Sequence, residues 1–282
     1  MSIFELFTKP YIKKMSYSEE IINRRRFLLK SAITTAGCLL DLTSFSKTFA
    51  LEETKKNQNG FRIALIIDDI GYSVSRARQF LELGVPITFS ILPKLPNSIN
   101  LSSEIKNNGH EIMLHQPMEP YNPSLDPGPG ALYAGDGKER IMRVIEENIS
   151  EIPFAAGINN HMGSKFTALS DKMYHALRII KEKNMFFVDS LTSNHSKGFA
   201  TARYLNMAAA HRNIFLDNVV EESAILYQLL KLAEIAHEHG SAVGIGHPFP
   251  ETASAIKTFC NGLTDSRVSL VHISEVIRLT AP

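Results

Sequence analysis

Phe61-Arg62-Ile63-Ala64-Leu65-Ile66-Ile67-Asp68-Asp69-Ile70-Gly71 is the stretch on which the fold turns. Ile63 to Ile67 read as a strand buried on both faces, the signature of a parallel sheet. Two adjacent carboxylates close it. Neighbouring strand residues point to opposite faces. Like charges this close resist joint ionisation unless a cation or hydrogen bonds compensate. One reading makes either Asp a helix N-cap. The other makes the pair a site, because strand carboxyl ends carry the chemistry in barrels and open α/β sheets.

From Phe61 onward, short apolar runs alternate with longer amphipathic stretches. Strands are expected over 63–67, 87–92, 111–115, 156–159, 186–189, 213–216, 242–246 and 269–272. Helices are expected over 73–83, 99–107, 138–149, 170–183, 221–239 and 253–260. The helix from Glu221 carries Ile225, Leu229, Leu232 and Ile235 at helical spacing, and Gly240 is its stop. The alternation implies an α/β fold with a parallel sheet. Seven or eight such units in ~220 residues fit a closed or distorted (β/α) barrel of seven or eight parallel strands. A doubly wound open sheet is the alternative. The Pro- and Gly-rich stretch 117–137 interrupts the pattern and reads as a long surface loop.

The 282 residues are 44% hydrophobic, enough for one large domain or two small ones. A net charge of +1 gives no electrostatic case for nucleic acid. The first fifty residues stand apart. Lys13, Lys14, Arg24, Arg25, Arg26 and Lys30 form a basic leader. Ser31 to Phe45 is mildly apolar but interrupted by Asp41, too short and weak to span a membrane. Thr48-Phe49-Ala50 offers a small-residue cleavage site. Arg24-Arg25-Arg26-Phe27-Leu28-Leu29-Lys30 resembles a twin-arginine export signal, with Leu29 where Lys is usual. A plain secretory signal, a lipoprotein signal at Thr35-Ala36-Gly37-Cys38 and a basic tail are the other readings. The expected organisation is an export signal over 1–50, a linker over 51–60 and a catalytic domain over 61–282. The export machinery is then a partner, and the mature chain has no stable membrane span and is periplasmic or extracellular. Cleavage after Ala50 would leave Cys260 as the sole cysteine and allow no internal disulfide.

Polar groups recur at the expected strand ends: Asp68 and Asp69, His115 followed by Gln116-Pro117-Met118-Glu119, Asn159-Asn160-His161, Asp189-Ser190, Asp217, and His247-Pro248. Converging on one rim, they describe an active site. Asp, His and His from different strands are standard ligands of a catalytic divalent cation, and zinc sites of this kind keep a position for water. Other transition metals accept the same donors. Asp69, His115 and His161 are the best trio. His110 faces away from His115 in a regular strand. His237 and His239 suit a helix C-terminus, and His175, His195, His211 and His272 belong to no constellation. His247 follows Gly244-Ile245-Gly246, whose small residues permit close backbone approach. It reads as a general acid or as a cap for the loop after it.

These residues resemble the polysaccharide deacetylase superfamily, and more closely its divergent branch, over roughly Phe61 to Ile277. Ile67-Asp68-Asp69-Ile70-Gly71 is similar to the first family motif, which implies that Asp68 is the catalytic base and Asp69 a metal ligand. Gly109-His110-Glu111-Ile112 leads to His115, which falls on a metal-binding His. Phe187-Val188-Asp189-Ser190 resembles the motif whose Asp supports the catalytic groups, which implies that Asp189 holds His247 or the substrate. Val243-Gly244-Ile245-Gly246-His247 resembles the motif of the general acid. Two places depart from the pattern. Glu119 stands where a second His is usual, and Asn159-Asn160-His161-Met162-Gly163-Ser164 stands where an Arg and a Pro-Tyr pair are usual. His161 is then the replacement imidazole, with Glu119 as an alternative ligand or an orienting group behind one. The resemblance implies a hydrolase with one divalent metal, most commonly zinc, removing N-acetyl groups from an envelope or extracellular glycan. A non-catalytic carbohydrate-binding or envelope-scaffold protein and a metallo-esterase are the alternatives.

Overall fold

Every strand pairing among the described residues is parallel. The computed structural model describes residues 60–263 and 267–280, so the expected export signal and nearly all of the expected linker lie outside the described residues. The chain order is β1 (Phe61–Ile70), α1 (Val74–Leu81), β2 (Thr88–Ile91), α2 (Ser98–Asn107), β3 (Glu111–Met118), α3 (Lys138–Glu151), β4 (Ala155–Met162), α4 (Ser170–Glu182), β5 (Phe186–Asp189) and α5 (Gly198–Tyr204). It continues with β6 (Ala209–His211), β7 (Ile214–Phe215), α6 (Glu222–His239), β8 (Ser241–Gly246), α7 (Pro250–Gly262), β9 (Val268–Val271) and α8 (Ile273–Thr280). Eight strands follow one another as β6-β5-β4-β3-β2-β1-β8-β7, and β9 pairs with β1 beside them. β9 takes the first half of β1, Phe61 to Ala64, and β2 the second, from Ile66. Strand–helix alternation thus builds the expected distorted (β/α) barrel.

The distortion is a seam. β6 and β7 end the sheet on its two sides and form no ladder with each other among the described residues. The chain crosses from one to the other through Arg212 and Asn213 alone. Backbone and side chain of Asn213 stitch the crossing to β8: its N–H donates to Val243 O at 2.9 Å, and its Oδ1 accepts from Val243 N–H at 2.8 Å.

Inward-facing residues follow the two-residue period of each strand. Ala64 and Ile66, Met113, Phe186 and Val188, Ala210, Val243 and Ile245, and Val271 share one buried cluster with Ile273, Val276 and Ile277 of α8. Helix α8 therefore plugs the end of the barrel where the strands begin. Its first amides are satisfied from the wall, Ile273 N–H by Thr88 Oγ1 at 3.1 Å and Ser274 N–H by Glu111 Oε1 at 3.2 Å. Gly157 occupies the same inward phase on β4, where a Cβ would sit 2.1 Å from the Phe186 ring.

Three elements have no counterpart in the expectations: α5, β6 and α8. β6 is three residues long, too short for periodicity to register. β1, β3 and β4 also run three residues beyond their expected ends, so Asp68, Asp69 and His161 lie in strands rather than past them. The stretch 117–137 is tied down at several points. Leu132 pairs with Pro117 and Glu119 through backbone bonds of 3.0 and 2.9 Å, and Asn148 Nδ2 donates to Gln116 Oε1 and Gly130 O, each at 2.8 Å. No helix among the described residues is long and apolar enough to cross a membrane.

Candidate active site

The inward series end in polar residues as the strands leave the apolar core. Two positions past Ile66 stands Asp68, past Met113 His115, past Gly157 Asn159 and then His161, past Val188 Ser190, past Ala210 Arg212, and past Ile245 His247. The site is thus the next layer above the core at the carboxyl ends of the strands. Asp69 is out of phase, and the backbone corrects for it. It adopts φ 57°, in the left-handed region, within an irregularity of the β1–β2 register between Ile67 and Ile70. Both carboxylates of the pair thereby reach His115, with Asp68 Oδ2 at 3.6 Å and Asp69 Oδ1 at 3.2 Å from His115 Nε2. Met162 (φ 51°) and Leu191 (φ 48°) bend the ends of two other strands in the same left-handed way. Such conformations cost about 1–3 kcal/mol each and gather at functional sites. Neither Asp caps the following helix, because Ser73 Oγ accepts from Arg76 N–H in that role.

Asp69 Oδ1, His115 Nε2 and His161 Nδ1 form a triangle with sides of 3.2, 2.9 and 3.2 Å. Among the described residues they are the one group of three or more such side chains able to share a cation. Asp69 Oδ1 is buried and has no hydrogen-bond partner, although both imidazole nitrogens are near. The edges match a tetrahedral ion with ligand bonds of about 2.0–2.1 Å, whose donors lie about 3.3 Å apart. His115 Nδ1–H donates to Asn159 Oδ1 at 2.7 Å, which leaves Nε2 with a bare lone pair facing the triangle. Bare lone pairs this close to a carboxylate oxygen repel unless a positive charge sits among them. The residues present therefore fit a divalent cation.

Asn159 has a further duty. Its Nδ2 donates to Asp68 Oδ1 at 2.8 Å and to Ser190 Oγ at 3.3 Å, and its Oδ1 also accepts from Ser90 Oγ. Burial raises the Asp68 pKa, opposed by His115, His247 and Asn159. Burial acts on Asp69 in the same direction, yet the two imidazoles beside it hold its carboxyl well below the ordinary range. Burial disfavours a charged His115, but Asp68, Asp69 and Asn159 outweigh it and raise its pKa.

On the other side stands His247, whose Nδ1–H donates to Asp217 Oδ1 at 2.8 Å. Asp217 Oδ2 accepts from His247 N–H and from Thr252 Oγ1. Burial works against the imidazolium, but Asp217, with help from Asp68 and Asp69, raises His247 to about 9. The ring stacks on Phe215, and the Arg212 guanidinium lies 3.7 Å over the Phe215 ring. Arg212 also donates to Ser190 O and Leu191 O at 2.7 and 2.9 Å. Burial lowers its pKa against the attraction of Asp189 and Asp68. A guanidinium thus acts on Asp68 from the seam, not from β4 where the family pattern implies one.

Two expected site residues lie apart from this constellation. Asp189 does not hold His247. Its Oδ1 accepts from Leu191 N–H at 3.0 Å and its Oδ2 from Ser196 Oγ and Phe199 N–H at 2.7 and 2.8 Å, so it secures the turn into α5. Glu119 is no part of the triangle either. Its carboxylate binds Lys165 Nζ and Ala134 N–H, both at 2.7 Å, and pins the 117–137 stretch to the end of β4. Asn159 and Asp217 carry contacts that the sequence pattern, which marks them only as strand-end residues, does not assign. The signal for Asn159 was its place two residues before His161, in the same strand phase.

A cavity of about 400 Å³, lined by Asp69, Ile70, Tyr72, Ser73, Arg76, His247, Pro248 and Phe249, opens beside the triangle. A larger one of about 610 Å³ lies at the seam and has no carboxylate in its lining. The first brings Asp69 of the candidate cation site and His247 to one wall.

Comparisons with known proteins bear on the family and the fold. The chain is 30% identical to the uncharacterized protein YibQ of Escherichia coli over 77% of its own length and 67% of that protein. The crystal structure of the uncharacterized protein ATU2773 from Agrobacterium tumefaciens is similar at 25% identity with a TM-score of 0.74, covering 78% of this chain and 90% of that one. The Bc1960 peptidoglycan N-acetylglucosamine deacetylase shares the fold at 15% identity and a TM-score of 0.50, over 76% of this chain and 86% of its own. The family model for divergent polysaccharide deacetylases matches residues 65–277, and the chain belongs to that family.

Proposed function

We propose that this protein is a metal-dependent hydrolase that removes N-acetyl groups from a polysaccharide of the cell envelope or its surroundings. One observation carries the reading: the Asp69, His115 and His161 donors close to 2.9–3.2 Å, with Asp68 on one side and a readily protonated His247 on the other. A divalent cation held there, zinc by the donor set, would lower the pKa of a water and polarise the acetyl carbonyl. Asp68 accepts the proton of the attacking water, and its hydrogen bond from Asn159 keeps it oriented for that task. His247, held by Asp217, gives its Nε2 proton to the departing amine. The cavity beside Asp69 and His247 receives the sugar, with Tyr72, exposed at its rim, as a stacking surface. The twin-arginine-like leader supports export to the periplasm or beyond, where such glycans are found.

Acetate release from N-acetylglucosamine oligomers and peptidoglycan fragments tests this reading, with metal content measured on the same preparation. Zinc near one per chain and acetate release that Asp68→Asn abolishes are expected. Metal-loaded protein that releases no acetate from a broad panel of N-acetylated glycans defeats the proposal.

A further inference from the structure

We infer that Asn159 is a positioning residue with two separable tasks, setting the tautomer of a metal ligand and orienting the base that works beside it. The inference rests on the metal-hydrolase reading above. An amide side chain accepts at one end and donates at the other without carrying charge. Asn159 uses both ends in a fully buried position: Oδ1 takes the His115 Nδ1–H at 2.7 Å, and Nδ2 gives a hydrogen to Asp68 Oδ1 at 2.8 Å. The orientation of the amide is itself fixed. A flipped amide would set its oxygen against Asp68, a carboxylate that only accepts, whereas the hydroxyls of Ser90 and Ser190 suit either orientation. The strand register supports the same geometry, since Asn159 pairs with His115 across β3–β4 and with Val188 across β4–β5.

Each task follows from this chemistry. An imidazole whose Nδ1–H is bound to an oxygen can present only Nε2 as a lone pair, and such supports change metal affinity by about 10–100-fold when removed. The carboxylate of Asp68 must stay in plane and unprotonated toward its water, and an N–H donor to one oxygen leaves the other free for the transfer. One side chain therefore registers the cation site and the base against each other, so that water held by the first lies within reach of the second.

The test uses zinc as the probe, with affinity measured by chelator competition and acetate release measured at saturating zinc. Asn159→Ala is expected to weaken zinc binding about 10–100-fold, and to lower the metal-free melting temperature because it leaves buried partners unsatisfied. Asn159→Asp keeps shape and volume and offers an oxygen to His115, but it places a second carboxylate against Asp68. It is expected to hold zinc within about threefold of the parent while kcat at saturating zinc falls by about 100-fold or more. That split, metal kept and turnover lost, is not what a purely structural residue produces. Unchanged zinc affinity in Asn159→Ala, or loss of folded protein in both variants, overturns the first task. Full turnover in Asn159→Asp overturns the second. If the parent protein binds zinc but hydrolyses nothing, the function fails while the zinc arm still decides the first task.

Discussion

Replacing Asp217 by Asn removes a charge from beneath His247, the proposed proton donor, while keeping the shape of the side chain. The Asp217 side chain is about 1% exposed, and it accepts from His247 Nδ1–H at 2.8 Å, from His247 N–H and from Thr252 Oγ1. Burial alone would push the imidazole below its ordinary 6.5, yet the neighbouring carboxylates bring it to about 9, with Asp217 contributing most. Asp217→Asn should return His247 to about 6.5 or below, a change worth about 3 kcal/mol at about 1.4 kcal/mol per pH unit. At pH 8 the donor is then about 90% protonated in the parent and about 3% in the variant, so protonation alone costs about 30-fold in rate. At pH 6 the same effect is less than about twofold. A bound divalent cation lowers both values together and leaves their difference. The assays are the pH profile of kcat/KM for acetate release and the titration of carbon-labelled histidine by NMR. Stability follows the same sign. The folded pKa of His247 is raised above its unfolded value, so the pair stabilises fully below pH 6.5 and the benefit is lost as the pH climbs through about 9. The variant should therefore lose melting temperature at pH 6 and progressively less toward pH 10. A His247 that titrates near 6.5 in both proteins, or a rate loss equal at pH 6 and pH 9, refutes the reasoning.

His161→Ala and Glu119→Gln separate the ligand from the strut: elemental analysis should find the zinc of the former reduced by about 100-fold in affinity and that of the latter unchanged. Glu119→Gln should instead loosen the 117–137 stretch, read as faster proteolysis there, because it weakens the bond to Lys165. Gly157→Ala places a methyl 2.1 Å from the Phe186 ring inside the barrel, and the strain should cost about 1–3 kcal/mol, seen as a melting temperature lower by about 2–12 °C.

The barrel was legible because its strands are buried on both faces and its helices are not, so apolar runs and amphipathic stretches separate cleanly along the chain. The convergence of the candidate trio was legible because Asp69, His115 and His161 are polar residues at the ends of apolar strands. What escaped was pairing. Asp189 and Asp217 both follow a short apolar run, and nothing in either run tells which carboxylate meets His247. The choice is made in three dimensions, by β7 lying against β8 while β5 lies across the barrel. Glu119 escaped for the same reason, since Lys165 and Ala134 claim it from sequence positions 46 and 15 residues away. Asp69 shows a further limit. Strict alternation points it away from Asp68, and only a left-handed backbone at φ 57° turns it back.

The crossing at Arg212 and Asn213 makes the open join of the wall part of the mounting of His247. Arg212 covers Phe215, Phe215 covers His247, and Asp217 lies two residues past the end of that short strand. Without a ladder between β6 and β7, that corner has fewer backbone bonds to lose than any neighbouring pair of strands, and so it is the place where warming first admits solvent. For the proposed hydrolase, activity and global structure are then expected to have different thermal limits. Turnover should fade while the helices still report a native spectrum, with faster amide exchange at residues 209–217 as the measurement that checks it.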